Sequence, residues 1–312
     1  MQALIEVILP VFLVMGAGYL ATRGKVLSDA AIDGLMSFAQ GIAVPCLLFQ
    51  GVARLDLARD LALGPFMSFY IGAFVCFIAG GLGARFIFGR PGPDCVAIGF
   101  ACLFSNTLLL GLPITERAYG PEALATNYAL IALHSPLMYA FGITAMELVK
   151  SHGQGLAPTG VLRLIGGGLV TNPLIIGIAA GFAVNLMGIS LPTALSDAVG
   201  MISSAGIPAA LFGLGGVLFR YRPDGDLRIV AMVASLSLIL HPAITFFLGS
   251  GPYGLGVAEL RSATITSAMP PGVNAYLFAN MYGVGKRVAA TSILIATALA
   301  VLTGWFWLQV LP

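Results

Sequence analysis

Charge is what this sequence has least of. Of 312 residues only 9% are Asp, Glu, Lys or Arg, whereas soluble domains carry roughly 25%. That deficit excludes a water-soluble globule. The net charge of +2 is small, and the basic residues form short clusters rather than a stripe, so nucleic acid is not an expected partner. Cysteines are few: Cys46, Cys76, Cys95 and Cys102 lie in or beside apolar segments, without CxxC spacing or a neighbouring His. They read as small hydrophobic residues, not as metal ligands or a disulfide framework. No basic leader precedes the first apolar run, which reads as a mature helix rather than a signal peptide. Missing too are a long hydrophilic run, an HExxH or GxSxG motif, paired aspartates and a Walker A loop. No metal, cofactor, ATP hydrolysis or enzymatic activity is therefore expected, although an intramembrane enzyme stands as a remote alternative.

What the chain has in abundance is apolar length. Hydrophobic residues make up 58% of it, and its mean hydropathy is +0.97. A spanning helix needs about 20 mostly apolar residues. Ten segments meet that length: 3–22, 33–53, 61–87, 95–116, 122–149, 161–187, 191–219, 227–249, 255–281 and 288–310. The separators are short and polar, such as 22–29, 89–94 and 151–159. The fold class is therefore an all-α polytopic membrane protein, with lipid as its solvent. Loops after odd-numbered segments hold Arg23, Lys25, Arg85, Arg90, Lys150, Arg163, Arg220, Arg222, Arg228, Lys286 and Arg287, eleven of the 15 basic residues. The opposite side has Arg54, Arg59, Arg117 and Arg261. By the positive-inside rule the odd loops are cytoplasmic and both termini face outside.

An internal repeat follows from a shift of 163 residues. It superposes Pro10 on Pro173, Gly18 on Gly181, Pro45 on Pro208, Phe49 on Phe212, Tyr119 on Tyr282 and Gly120 on Gly283. The units are 1–150 and 161–312, five segments each, joined by a connector at 151–160. An odd number of spans inserts the second copy upside down. Inverted repeats of this kind are typical of secondary transporters.

The fourth and ninth segments correspond under this shift, and both are interrupted. One contains Ser105-Asn106-Thr107-Leu108-Leu109-Leu110-Gly111-Leu112-Pro113, the other Ser267-Ala268-Met269-Pro270-Pro271-Gly272-Val273-Asn274. Irregular backbone at membrane depth survives only where it is buried in protein or lines a wet cavity. Gly111, Pro113, Pro270, Pro271 and Gly272 are the expected helix breakers. A broken helix exposes unpaired N–H groups carrying the positive end of a helix dipole, which suits a carboxylate without a buried Lys or Arg. Asn106 and Asn274 either donate to such a substrate or satisfy the freed backbone; the residues alone leave both open.

These stretches resemble the auxin efflux carrier family. Phe104 to Ile114 with Ala118-Tyr119-Gly120 is similar to its fourth helix, Asn172-Pro173-Leu174-Ile175-Ile176-Gly177 to the start of its second half, and Ala268 to Ala275 to its ninth helix. The likeness covers the whole chain and fits the short bacterial form, which includes proteins named malonate permeases. It implies a bile-acid-symporter-like fold, with a scaffold of helices 1, 2, 6 and 7, often dimeric. Helices 3–5 and 8–10 would form a transport domain, with helices 4 and 9 crossing at mid-membrane. It further implies a small organic anion moved across the inner membrane by an elevator motion. Plant members carry proline immediately before the fourth-helix Asn, where this chain has Ser105.

The resemblance also points to His134 and Tyr139 as residues facing the site, and to Val44, Pro45, Ile207 and Pro208 as the scaffold wall; those prolines equally serve to kink their own helices. His134 is alternatively a structural residue bonded to a carbonyl, and His241 is a further candidate. An imidazole near neutral pH can carry a proton, so His134 is a candidate for proton coupling. Ser105, Thr107, Ser267 and Asn274 are a thin oxygen set for sodium. The leading expectation is a secondary transporter for a mono- or dicarboxylate or an auxin-like weak acid, coupled to H+ or Na+ or uncoupled. The alternative is a sensor or receptor on the same fold.

Overall fold

The computed structural model describes residues 2–56, 63–150 and 172–312. Among them all regular structure is helical apart from one isolated bridge. In order the helices are α1 (Leu4–Arg23), α2 (Asp29–Ala53), α3 (Leu63–Phe86), α4 (Gly92–Leu103), α5 (Thr107–Gly111 continuing as Leu112–Tyr119) and α6 (Ala125–Lys150). They continue with α7 (Pro173–Leu186), α8 (Thr193–Arg220), α9 (Leu227–Ser250), α10 (Val257–Ser267), α11 (Val273–Tyr282) and α12 (Lys286–Val310). Seven of them, α1, α2, α3, α6, α8, α9 and α12, are long and apolar enough to cross a membrane. Of the other three expected segments, the fourth is split into α4 and α5, and the ninth into α10 and α11. The sixth is seen as α7, its first part (161–171) lying outside the described residues, together with the connector 151–160, Arg59, His152 and Arg163.

Local chemistry sets the helix starts. Ser28 caps α2 by accepting from the Ala31 N–H at 3.2 Å, Asn172 caps α7 through Leu174 at 2.9 Å, and Asp226 caps α9 through Arg228 at 3.1 Å. Each satisfies a donor that a helix N-terminus leaves orphaned. A second device recurs inside the helices. Leu9, Val44, Leu112 and His241 each donate to the carbonyl five residues back, making a wide π-type turn, and each is followed at once by a proline. A proline ring collides with the carbonyl four residues earlier, and widening the preceding turn makes room for it. Pro10, Pro45, Pro113 and Pro242 are therefore carried inside continuous helices. Pro136, inside α6, has no such turn before it.

Helix association in lipid lacks a hydrophobic drive, so small residues that allow close backbone approach do much of the work. Gly18 of α1 sits directly against the Phe212 carbonyl of α8. Moving both numbers by 163 residues gives the mirrored contact: Gly181 of α7 faces the Phe49 carbonyl of α2, where an added Cβ would lie 2.7 Å away. Gly206 of α8 lies against the backbone of Ala43, its own counterpart under that shift. A side chain at any of these positions would hold the helices apart.

The ends of the bundle are tied by charge. Arg220 bonds Asp29 and Asp33, Arg90 pairs with Asp226, and Arg287 lies 3.8 Å from Asp224. These contacts gather the loops after α1, α3, α8 and α11 at one end. At the other, Arg117 donates to the Glu6 carbonyl and Arg261 to that of Pro312.

Candidate functional site

The two interruptions meet. Asn106 N–H donates to the Pro270 carbonyl at 2.8 Å and Gly272 N–H to the Phe104 carbonyl at 2.9 Å, pairing Ser105 with Pro271 as a short antiparallel bridge. Pro271 occupies the slot between these two bonds, where its missing N–H costs nothing. The pairing satisfies backbone that would otherwise be stranded in a buried region. Further along, Asn106 caps α5 by accepting from the Leu109 N–H at 3.2 Å.

The break thus falls at Phe104–Asn106, ahead of the residues expected to cause it. Gly111 closes the wide turn at the start of α5, and Pro113 sits in the helix that follows. Both are carried by that turn. Pro270, Pro271 and Gly272 do form the link between α10 and α11.

A cavity of about 1210 Å³ opens beside the bridge. It runs from Ser105, Asn106, Gly272 and Asn274 to Asp33 and Arg220 at the charged end of the bundle. Among the sequence-derived candidates, Ser105, Asn106, Thr107, Tyr139, Gly272 and Asn274 line it. His134, Val44, Pro45, Ile207, Pro208 and Ser267 do not. Val44 and Pro45 are buried against α7 and α8, with the Pro45 carbonyl facing Gly177, and Pro208 is exposed. Ser267 is buried and donates to the Thr264 carbonyl at 2.8 Å. His134 is packed among the rings of Phe69, Tyr70 and Phe104, and neither of its ring nitrogens makes a hydrogen bond of standard geometry among the described residues.

Hydrogen-bond bookkeeping gives the cavity its polarity. The Asn106 side-chain oxygen is committed to Leu109, which leaves its NH2 group as the free end. Asn274 accepts from the Tyr139 hydroxyl at 3.2 Å, again through its side-chain oxygen. The backbone N–H groups of Leu108, Val273 and Asn274 have no hydrogen-bond partner among the described residues. All three residues line the cavity. Five donor groups, two carboxamide nitrogens and these three N–H groups, thus belong to residues that line this end. The charged lining residues, Asp33 and Arg220, pair with each other at 2.7 Å, and Asp29 takes a second Arg220 nitrogen at 3.1 Å. Tyr221, just past the end of α8, stays un-ionised: burial raises its phenol above the usual range, Tyr276 adds to this, and Arg220 offsets part of it.

Sequence reasoning missed several cavity residues, including Ser37, Gln40, Ser135 and Tyr276. It also missed Asn127, which is fully buried behind the break. Its side-chain nitrogen donates to Thr266 at 2.6 Å and to Thr115 at 3.3 Å, tying α6 to both α5 and α10. A carboxamide near the start of an apolar segment was the available signal.

The family model described as membrane transport protein matches residues 3–308. A Rhizobium meliloti (strain 1021) protein provisionally named a malonate transporter is 25% identical over 97% of this chain and 94% of its own length. Auxin efflux carrier component 8 of Arabidopsis thaliana is 22% identical, over 94% of this chain and 93% of its own. The lysosomal cholesterol signaling protein of Mus musculus is 21% identical over 94% of this chain, which spans 36% of that protein.

Proposed function

Since the chain belongs to the membrane transport protein family, alongside the auxin efflux carriers, we propose that it carries a small organic anion, binding it where α4–α5 meets α10–α11. The observation that carries this reading is the set of donors at one end of the cavity: two carboxamide NH2 groups and three backbone N–H groups without a partner, and no unpaired acid beside them, among the described residues. An anion bound there is held by dipoles and helix ends rather than by a buried cation. Malonate and an auxin-like monocarboxylate are the substrates to try first, given what the relatives are named for.

The finer architecture belongs to the same proposal. Ten spans in two inverted five-helix units, with the broken helices crossing at mid-membrane, are supported by the exchange-related pairs Gly18–Phe212 and Gly181–Phe49. A scaffold of α1, α2, α7 and α8 and a transport domain of α3–α6 and α9–α12 would place the cavity at their seam. One wall of the cavity comes from α2, α7 and α8, and the other from the α4–α5 link, α5, α6 and α11. An elevator motion slides one wall past the other. Asp33 and Arg220 belong to the same wall, so their ion pair need not break. Both termini outside and the charged end in the cytoplasm, in a bacterial inner membrane, fit the loop charges. On that orientation the cavity opens inward. A homodimer through the scaffold is part of the same reading.

Reconstituted in liposomes, the protein should exchange radiolabelled malonate or indole-3-acetate above protein-free controls. Flux of neither, across a panel of organic acids, would sink the proposal. A second reading, a sensor that binds without turnover, draws on the likeness to the mouse signaling protein. It predicts ligand-induced thermal stabilisation without flux.

A further inference from the structure

Ser105 lines the cavity and its hydroxyl lies 3.2 Å from His241 Nδ1, and the other ring nitrogen of His241 lies 3.0 Å from the Phe69 carbonyl. A carbonyl can only accept, so His241 Nε2 carries a proton and donates it. Nδ1 of the neutral ring is then a lone pair and must accept from Ser105. The tautomer is thereby fixed, and with it the direction of the Ser105 hydroxyl. Its hydrogen is spent on His241, and the cavity sees only oxygen lone pairs, which oppose an anion. His241 has no surface exposure and is held from several sides. An added Cβ on Gly72 would lie 2.8 Å from its ring, and Phe69 packs on it with centroids 4.8 Å apart. The ring has little freedom to turn away from Ser105.

We propose that His241 sets the hydrogen-bonding polarity of Ser105, so that taking up one proton converts Ser105 from an acceptor into a donor toward the bound anion. The proposal rests on the anion site described above. In the protonated state Nδ1 gains a hydrogen and donates to the Ser105 oxygen; the hydroxyl rotates, and its hydrogen turns to the cavity. One proton enters by way of the cavity and one hydrogen bond reverses. No covalent bond between heavy atoms changes. The groups facing His241 are the Phe69 carbonyl and ring on α3, Ser105 on the α4–α5 link, and Thr245 on its own helix, whose hydroxyl donates to the His241 carbonyl at 3.0 Å. The titratable neighbour is His134 of α6, which shares the Phe69 ring with it. Two protons so close would repel, so the pair takes up one. His241 is a positioning residue on this account; the group that meets the anion is Ser105.

The test uses the purified full-length protein and indole-3-acetate from about pH 8 down to about pH 5, with affinity expressed per ionised ligand so that titration of the ligand itself does not enter. Wild-type binding should tighten about tenfold on going from the higher to the lower pH, the worth of one charge-assisted hydrogen bond. His241→Gln keeps an acceptor for Ser105 and a donor for Phe69 but cannot take up the proton. Ser105→Ala removes the reversible group with little disturbance of packing, so it serves even if the Gln variant folds poorly. Each should lose the tightening, whatever its affinity at a single pH, and the double variant should be no flatter than Ser105→Ala alone. A pH slope that survives in both single variants overturns the assignment, as does one abolished by His134→Gln alone. A wild-type protein that binds without any pH slope also overturns it. Absence of wild-type binding at either pH condemns the anion site itself, which is a separate failure.

Discussion

At the scale of single residues, the proposed function gives Asn106 and Asn274 two jobs, one for each end of the side chain. The oxygen of Asn106 caps α5 and that of Asn274 receives the Tyr139 hydroxyl. The nitrogen of each has no hydrogen-bond partner among the described residues, and the proposed function assigns it to the ligand. Aspartate separates these jobs, because it keeps an acceptor for the cap and suits a helix N-terminus electrostatically, yet it replaces the donor with a negative charge. Asn106→Asp should therefore fold with a melting temperature close to wild type while binding malonate and indole-3-acetate at least about tenfold more weakly. Asn274→Asp should behave the same way. Isothermal titration alongside a thermal melt checks both; unchanged affinity in the two variants would reduce Asn106 to a cap and Asn274 to a partner of Tyr139. The sequence made both asparagines conspicuous, as amides within apolar segments. It could not show which end of each amide is occupied, because that depends on Leu109 and on Tyr139 of another helix.

Among helices, the decisive contacts are the ones where a side chain is missing. Gly18 and Gly181 sit where α1 meets α8 and α7 meets α2, each against a carbonyl. Gly16, two residues from Gly18, has nothing within 4 Å of an added Cβ. Gly18→Ala should cost about 1–3 kcal/mol through overpacking, lowering the melting temperature by several degrees, while Gly16→Ala should be neutral or slightly stabilising through helix propensity. Equal effects of the two substitutions would contradict the close packing described. That these glycines correspond was legible from one constant offset of 163 residues, and the two contacts follow it. The place of the α4–α5 break was not legible. Gly111 and Pro113 are strong breakers by composition, but a wide turn absorbs Pro113, whereas the chain opens at Phe104–Asn106 because Pro270 and Gly272 offer it backbone partners. Local propensity reports what a residue cannot do; the location of the break was decided by residues some 165 positions away in the chain.

For the whole molecule, the cavity's shape makes a directional claim. It reaches the end of the bundle where Arg220 meets Asp29 and Asp33, and the Arg117–Glu6 link lies at the opposite end. Leu277 lines the cavity on α11 and is 48% exposed, enough for a reagent to reach it. Among the native cysteines Cys76, Cys95 and Cys102 are buried and Cys46 is half-buried, so Cys46→Ser gives a quiet background. In that background the thiol introduced by Leu277→Cys should react with a membrane-impermeant maleimide in inverted vesicles and resist it in right-side-out ones. Saturating malonate should slow the reaction several-fold if the ligand fills the cavity. If the moving wall is α3–α6 with α9–α12, ligand should also raise labelling from the opposite face, since a bound anion can redistribute the two states only through its differential affinity for them. The thiol introduced by Gln40→Cys, in the cavity wall on α2, should show protection by ligand without that gain, because its helix stays fixed while the other wall travels. Ligand-dependent labelling that moves to the far face for both positions, or for neither, would reject the division into scaffold and transport domain while leaving the binding site itself intact.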